Sequence, residues 1–490
     1  MSRLDRVKQS RQNKLQTLRS LGIDPFPQKS NRTHTASEAR KKEGLEVTVA
    51  GRLMAWRGHG KIQFADLVDQ SGKIQLVLKA DDLSREEFDR LELLDLGDSI
   101  EASGVTCTTE AGESSVRVKS FRLLTKSLRP LPASWYGLKD VEDRYRQRYL
   151  DLLFNDQVKQ TFVTRTRIVS LLREFFDRRG FFEVETPVLQ PIYGGATAKP
   201  FVTHHNALDR DFYLRIADEL YLKRLIVGGF EKVYEIGHDF RNEGISRSHN
   251  PEFTQAEFYW AYATYEDLME LTEELVTTII RAIKGTLVVQ YLGKPYDFTR
   301  PWQRLPYQEA IAKYTGIDIV KVGNEKLLVS EIRKKKLELD LKGVIGYAAV
   351  LDALYKKMVR EHLGGPAFLI DYPYEMKPLA KRIADQPGKT GSFQLLVAGE
   401  EWVNAYNELN DPIDQRARWE EEMALAKKGL LEYQMIDEDY IRALEYGMPP
   451  TAGWGLGVDR LVAFITDSPS IKDVILFPTL KPEGQPSRNR

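Results

Sequence analysis

The chain has 490 residues, 71 Lys+Arg balanced by 71 Asp+Glu, 42% hydrophobic residues and one cysteine, Cys107. That length fits two to four domains, and the composition is that of a globular protein rather than a disordered or membrane-spanning one. A single cysteine excludes an internal disulfide framework and a Cys-based metal site. No run approaches the ~20 apolar residues of a membrane span. The polar, basic N-terminus lacks the apolar segment of a secretory signal. The expected location is therefore cytoplasmic, with no membrane partner.

The charge is unevenly placed. Residues 1–42 hold eleven Lys/Arg against Asp5, Asp24 and Glu38, a net +8, so the remainder is net −8. A basic arm on an acidic body points to a polyanion such as RNA as strongly as to a solvated surface helix. Within the arm, Leu4, Val7, Leu15, Leu18 and Leu21 recur at helical spacing until Asp24-Pro25-Phe26-Pro27 stops them. From residue 45 the period changes to two. Strands are expected at Val47–Leu53, Ile62–Leu67, Ile74–Leu78, Ser99–Val105 and Val116–Leu123, with a helix over Asp81–Leu94. That element order is the order of an OB barrel, a fold that binds single-stranded nucleic acid on its second and third strands.

Pro130, Pro132 and Gly137 break regular structure and mark a linker over residues 126–150. A large domain then runs to the end. Its first strong element is a helix at Thr164–Arg179, closed by Gly180 and followed by a strand over Phe181–Thr186. Lys- and Glu-rich helical segments near 325–362 and 414–430 read as peripheral insertions. No internal repeat or low-complexity tract is present.

Two segments concentrate chemistry. Phe240-Arg241-Asn242-Glu243-Gly244 runs on to His249-Asn250-Pro251-Glu252-Phe253-Thr254. It supplies a permanent cation for a phosphate, an aromatic plane for a base, and acids for amines or metals. The second is Gly453-Trp454-Gly455-Leu456-Gly457-Val458-Asp459-Arg460. Its glycines lack the spacing of a dinucleotide fingerprint. Together the two argue for an enzyme that uses ATP.

Three further stretches complete a pattern: Gly180-Phe-Phe-Glu-Val-Glu-Thr-Pro187, Gly194-Gly195 with Pro200 to Leu208, and Asn404-Ala-Tyr-Asn-Glu-Leu-Asn-Asp411. In this order the five segments resemble the class II lysyl-tRNA synthetases of bacterial type, from about residue 45 to 482. The resemblance implies an α+β protein. An N-terminal OB-fold β-barrel precedes an antiparallel β-sheet catalytic domain flanked by helices. The expected parts are a basic helical extension (1–44), the anticodon-binding barrel (45–127), a linker (128–150) and the catalytic domain (151–490) with a helical insertion near 303–365. It also implies a homodimer through the first motif, and lysine, ATP and lysine tRNA, not DNA, as partners.

By the same resemblance Arg241 and Arg460 are the catalytic cations. ATP falls to Arg241, Glu243, Arg247, His249, Asn250, Phe253, Glu401 and Arg460. Lysine falls to Gly194, Gly195, Glu219, Glu257, Tyr259, Asn404, Tyr406 and Glu408, and the anticodon to Arg52, Phe64 and Gln75. Mg²⁺ is the implied cofactor, with Glu401 and Glu408 as ligands; Gln394 occupies the other position where an acid is expected, and an amide is the weaker ligand. Two other departures stand out: Asp218 where the family has proline, and Arg247 one place early in its loop.

Physical chemistry supports this set. The lysine carboxylate must meet the α-phosphate of ATP, so charge neutralisation and positioning supply the catalysis. A desolvated ammonium needs carboxylates around it. An aspartyl or asparaginyl enzyme would want cations in place of Glu219 and Glu408. A protein-lysylating relative would lack the barrel. A non-catalytic RNA-binding relative would have lost Arg241 or Arg460, and here Gln394 alone speaks for it.

Overall fold

A computed structural model describes residues 1–132, 138, 140–427 and 433–483; Gly137, the end of the helix expected over 414–430 and the last seven residues lie outside these. The chain divides into two compact units, Met1–Leu138 and Lys139–Arg490.

The first unit opens with helix α1 (Arg3–Ser20) and the short α2 (Ala36–Ala39). Strands β1 (Glu46–His59), β2 (Ile62–Asp69), β3 (Gly72–Lys79), β4 (Ser99–Thr108) and β5 (Ser114–Thr125) close into a barrel in the order β1-β2-β3-β5-β4. Alternation does the folding. Ala65, Leu67, Ile74, Leu76 and Leu78 point into one core with Leu53, Ile100 and Val116, and their sequence neighbours point out. The helix expected over Asp81–Leu94 is shorter, α3 (Arg85–Arg90) and a single 3₁₀ turn, because Ser84 caps it and Leu91 and Leu94 fold into the barrel core. Part of the basic arm is used internally. Buried Arg11 donates to the carbonyls of Leu96, Ser127 and Arg129 at 2.9, 3.1 and 2.8 Å.

The second unit begins with α4 (Val141–Arg146), α5 (Arg148–Phe154) and α6 (Asp156–Asp177), so the last ten residues expected as linker are helical apart from a turn at Gln147. Arg148 ties them down: it is buried, pairs with Asp151 at 2.8 Å and donates to the carbonyl of Leu476. There follow β6 (Phe182–Glu183), β7 (Leu189–Gln190), β8 (Val202–His205), β9 (Arg210–Leu214), α7 (Glu219–Val227), β10 (Lys232–Phe240), β11 (Glu252–Ala261) and α8 (Tyr265–Lys284). After the hairpin β12 (Val288–Tyr291) and β13 (Lys294–Asp297) come β14 (Gln303–Pro306), α9 (Tyr307–Thr315), α10 (Ile319–Val322), α11 (Glu325–Lys334), α12 (Tyr347–Met358) and β15 (Ala367–Ile370). The rest is β16 (Arg382–Ile383), β17 (Gln386–Thr390), β18 (Ser392–Val397), β19 (Glu400–Asn407), α13 (Pro412–Ala426), α14 (Glu438–Glu445), β20 (Thr451–Gly457) and α15 (Val458–Ile465).

An eight-stranded sheet, β14-β15-β18-β19-β20-β11-β10-β6, organises the unit. Its interior pairs are antiparallel, and only the edge pairs β14/β15 and β10/β6 are parallel. Phe258, Leu395, Val403, Trp454 and Leu456 on one face pack against α6, α8 and α15. The strand expected over Phe181–Thr186 is cut to Phe182–Glu183, because Phe181 turns into this core. The insertion expected near 303–365 starts with a strand of the main sheet rather than a helix. Its helices carry a core of their own around Ile311, Leu328, Leu351 and Tyr355.

Candidate active site

The face of the sheet opposite the core forms the floor of a cavity of about 760 Å³. Strand register sets its residues in rows. Gln394, Asn404, Gly455, Glu257 and Glu235 are successive partners across β18, β19, β20, β11 and β10. The next row is Ser392, Tyr406, Gly453 and Tyr259. The middle strand therefore turns Gly453, Gly455 and Gly457 to the cavity, while the Trp454 and Leu456 side chains pack into the core. Space explains the glycines. A Cβ on Gly453 would stand 2.0 Å from Glu408 Oε1 and 2.5 Å from Tyr259 Cε1, and one on Gly455 2.9 Å from Gln255 Nε2.

At one end the cavity is acidic and buried. Glu219, on the first turn of α7, accepts from the Tyr406 hydroxyl at 2.8 and 2.7 Å. Glu408, just past β19, is buried beside it. Sequence reasoning missed what lies between them. The fully buried Lys223 contacts Glu219 at 2.5 Å and Glu408 more closely still. Burial alone would push its ammonium down, but the two carboxylates outweigh that and hold its pKa above the ordinary lysine value. The chain itself thus supplies one cation to these acids. Its signal was the i,i+4 spacing of Glu219 and Lys223 on one helix face. Glu408 Oε1 keeps no hydrogen-bond donor among the described residues. Tyr259, grouped by the sequence with Glu219 and Glu408, turns its hydroxyl to Glu257 at 2.7 Å. The Gly194-Gly195 turn closes this end. Gly195 has φ +86° and donates its N–H to Gln434 at 3.1 Å, and a Cβ on Gly194 would meet Leu220 Cδ1 at 2.8 Å. The close approach is to α7.

Behind Glu257, Asp218 and Asp239 complete a buried trio with one oxygen each within 4.8 Å of the others. Asp218 Oδ1 and both Asp239 oxygens have no hydrogen-bond partner among the described residues. Burial, reinforced by the charge of Asp218, pushes Asp239 up to about 8; burial likewise raises Asp218 and Glu257. Arg215 flanks the trio, 3.1 Å from Asp239 and 2.5 Å from Glu235. Gly237 is glycine because a Cβ there would stand 2.2 Å from Arg215 Nη2.

The other end carries free cations. Arg241 donates to the carbonyl of Ile216 at 3.3 Å and lies 5.1 Å from the Phe253 ring centroid; it forms no ion pair among the described residues. Arg460, on the first turn of α15, donates to the Glu401 carbonyl at 2.7 Å. Glu243 and His249 line the cavity with them. Asn250 lines it too, but its side chain is spent on backbone, donating to Glu252 at 2.7 Å and accepting from Thr479 at 3.2 Å. It shapes the loop. Arg247 is turned away onto the Pro469 carbonyl at 3.2 and 3.0 Å, and borders a neighbouring cavity. A further tie, unread in the sequence, joins α6 to the two segments around Arg241 and Arg460. Arg165 of α6 pairs with buried Asp459 at 2.6 Å and donates to Thr254 at 2.8 Å, and Asp459 accepts from the Thr254 N–H at 3.0 Å.

The expected metal pair does not meet. Glu401 and Glu408 begin and follow β19, seven residues or about 23 Å of extended chain apart, beyond the reach of two carboxylates on one ion. Glu401 and Gln394 line the cavity near one another, on paired strands. The Glu401 carboxylate has no partner among the described residues and suits a hard cation. Gln394 Oε1 accepts from the Tyr372 hydroxyl at 2.6 Å.

In the first unit, Arg52, Phe64 and Gln75 lie on the outer face of β1, β2 and β3. Their neighbours Leu53, Ala65, Ile74 and Leu76 fill the core. Phe64 is partly exposed and lies outside that core. Gln75 is buried and accepts from Ser115 at 2.9 Å, and Arg52 donates to the Gly97 carbonyl at 2.7 Å. Arg57 and Lys73 extend the same face, both paired with Asp66, at 3.1 and 3.5 Å.

Residues 140–481 match the family described as tRNA synthetases class II (D, K and N). Residues 47–124 match the one described as OB-fold nucleic acid binding domain. A lysine–tRNA ligase of Carboxydothermus hydrogenoformans is 50% identical over 483 residues, 98% of this chain and 99% of that protein. One of Moorella thermoacetica is 50% identical over 482 residues, 97% and 98% of the two chains. One of Thermoanaerobacter sp. is 48% identical over 488 residues, 98% and 97%.

Proposed function

Because the chain belongs to the class II tRNA synthetase family of the D, K and N type, we propose that its cavity is where lysine is activated with ATP before transfer to tRNA. The protein is a ligase with the activity of a lysine–tRNA ligase. Near-full-length similarity to such ligases carries this reading. The buried Glu219–Lys223–Glu408 group agrees with it: two acids around one resident ammonium leave Glu408 Oε1 without a donor among the described residues, ready for the substrate ammonium.

The lysine stem lies along Tyr259 and Tyr406, its ammonium at Glu219 and Glu408 and its amino group at Glu257, with Asn404 beside it. Arg241 clamps the α-phosphate, Phe253 and Arg460 flank adenine, and Glu243 and His249 border the nucleotide. The carboxylate of lysine attacks the α-phosphorus and pyrophosphate leaves. The 3′-terminal hydroxyl of lysine tRNA then takes the lysyl group from the adenylate. Glu401 would hold Mg²⁺, which would supply positive charge for the phosphates; Glu408 serves the substrate ammonium instead. Phe64 and Gln75, with Arg52 at the margin, read the anticodon by stacking and edge hydrogen bonds. Exposed Phe182, Leu189 and Phe230, close to the first motif, support a homodimer. A cytoplasmic site of action follows from the activity.

The test is pyrophosphate exchange with each of the twenty amino acids. Lysine alone is expected to drive rapid exchange. Exchange driven by aspartate or asparagine, or none at all with an intact fold, would overturn the reading.

A further inference from the structure

Three further cations line the cavity; Lys356 pairs with Asp352 and Arg360 with Glu400, which leaves Lys377. Lys377 follows the 3₁₀ turn at Tyr374–Met376 and lines the cavity with Gln394, Glu401 and Asn404. Its Nζ donates to Asn404 Oδ1 at 2.7 Å and stands 4.6 Å from the Tyr372 ring centroid. It forms no ion pair among the described residues. The Tyr372 hydroxyl, in turn, is spent on Gln394. One ring therefore holds the ammonium in place and occupies the amide that stands where an acid is expected.

The position matters. Gln394 and Asn404 are register partners, in the same row as Glu257. Lys377 thus marks the junction between the amino-acid end and the phosphate end. Two of its three donors remain free of Asn404. A divalent ion at this junction needs anionic oxygen. It would meet an amide already engaged and the Lys377 ammonium, whose pKa burial lowers and the charge of Glu401 supports, and like charges at short range repel.

We propose that the Lys377 ammonium is a catalytic residue that contacts the lysine carboxylate and the α-phosphate, supplying the neutralising charge that a second divalent ion would supply beside an acid at position 394. This rests on reading the cavity as the site of adenylation. Lys377 forms no bond and gives up no proton. One carboxylate oxygen bonds to the α-phosphorus, the bond to the bridging oxygen breaks, and pyrophosphate leaves with that electron pair, while the ammonium stays charged throughout. Arg241 and Lys377 then approach the reacting centre from different elements, one just past β10 and one after the 3₁₀ turn at Tyr374–Met376.

Two measurements test it on the full-length protein. In lysine-dependent pyrophosphate exchange, Lys377→Met is expected to lower kcat by about 10²–10³-fold, with the KM for lysine moving less than about threefold, and Lys377→Arg to restore part of the loss. In the second, Mn²⁺ bound per site is counted by electron paramagnetic resonance with a non-hydrolysable ATP analogue. The Lys377→Met/Gln394→Glu double variant is expected to bind about one ion more than the wild type. A Lys377→Met enzyme within about twofold of wild-type kcat, or a folded double variant with an unchanged Mn²⁺ count, overturns the proposal. Absence of lysine-dependent exchange in the wild type would instead sink the reading of the cavity itself.

Discussion

At the amino-acid end of the cavity the Glu219 and Glu408 carboxylates face a cation of the chain itself, Lys223, whereas at the phosphate end the Arg241 guanidinium has a carbonyl and an aromatic ring beside it and no ion pair among the described residues. The first end is buried and internally compensated; the second waits for charge. Compensation at the acidic end makes those residues part of the fold's stability. The waiting end contributes little to stability and is free to spend its charge on the reaction. The contrast can be broken by exchanging one cation at each end. Lys223→Met leaves two carboxylates buried without their ion partner, which costs about 3–5 kcal/mol. Urea unfolding at neutral pH reads this directly, and a loss below about 1 kcal/mol would mean that the pair is not a structural one.

Arg241→Ala is the counterpart. Its stability is expected within about 0.5 kcal/mol of wild type, since no ion pair is lost among the described residues. Pyrophosphate exchange is expected to fall about 10²–10³-fold, because a preorganised cation at the α-phosphate is gone. A mutant that unfolds early but exchanges normally when folded would reverse the roles assigned to the two ends.

Much of this was legible in the chain. The barrel followed from alternation, since Ala65, Leu67, Ile74 and Leu76 can only face one way once Phe64 and Gln75 face the other. The long segments around Arg241 and Arg460 located the cavity. What escaped were relations across the sequence. The ties from Arg165 to Asp459 and Thr254 join residues some ninety to three hundred positions apart, and no local pattern announces such a pairing. The pairing of Glu401 with Glu408 failed for the opposite reason. Both residues carry the right chemistry, but an extended strand separates them, and proximity in sequence is distance in a β-strand. The glycines of β20 were visible as glycines, but their cause, the Glu408 and Tyr259 side chains that fill the space above Gly453, needed coordinates.

Asp239 tests whether protons, as well as Lys223, balance the acidic end. Its carboxyl is raised to about 8, chiefly by burial and then by Asp218. In the unfolded chain it titrates near the ordinary value of about 4. The folded protein therefore binds the extra proton between those limits. The stability this proton brings is fully present below pH ~4, and it is lost as pH rises through about 8. Asp239→Asn removes the titration while keeping the shape. Measured as a difference from wild type, the unfolding free energy of the variant is expected to improve by about 2 kcal/mol between pH 6 and pH 9. Lysine and ATP are left out of the buffers so that binding does not add its own proton linkage. A difference that stays flat over that range would mean that Asp239 is already ionised at pH 6, held so by Arg215 at 3.1 Å, and that the trio is balanced by charge rather than by protons.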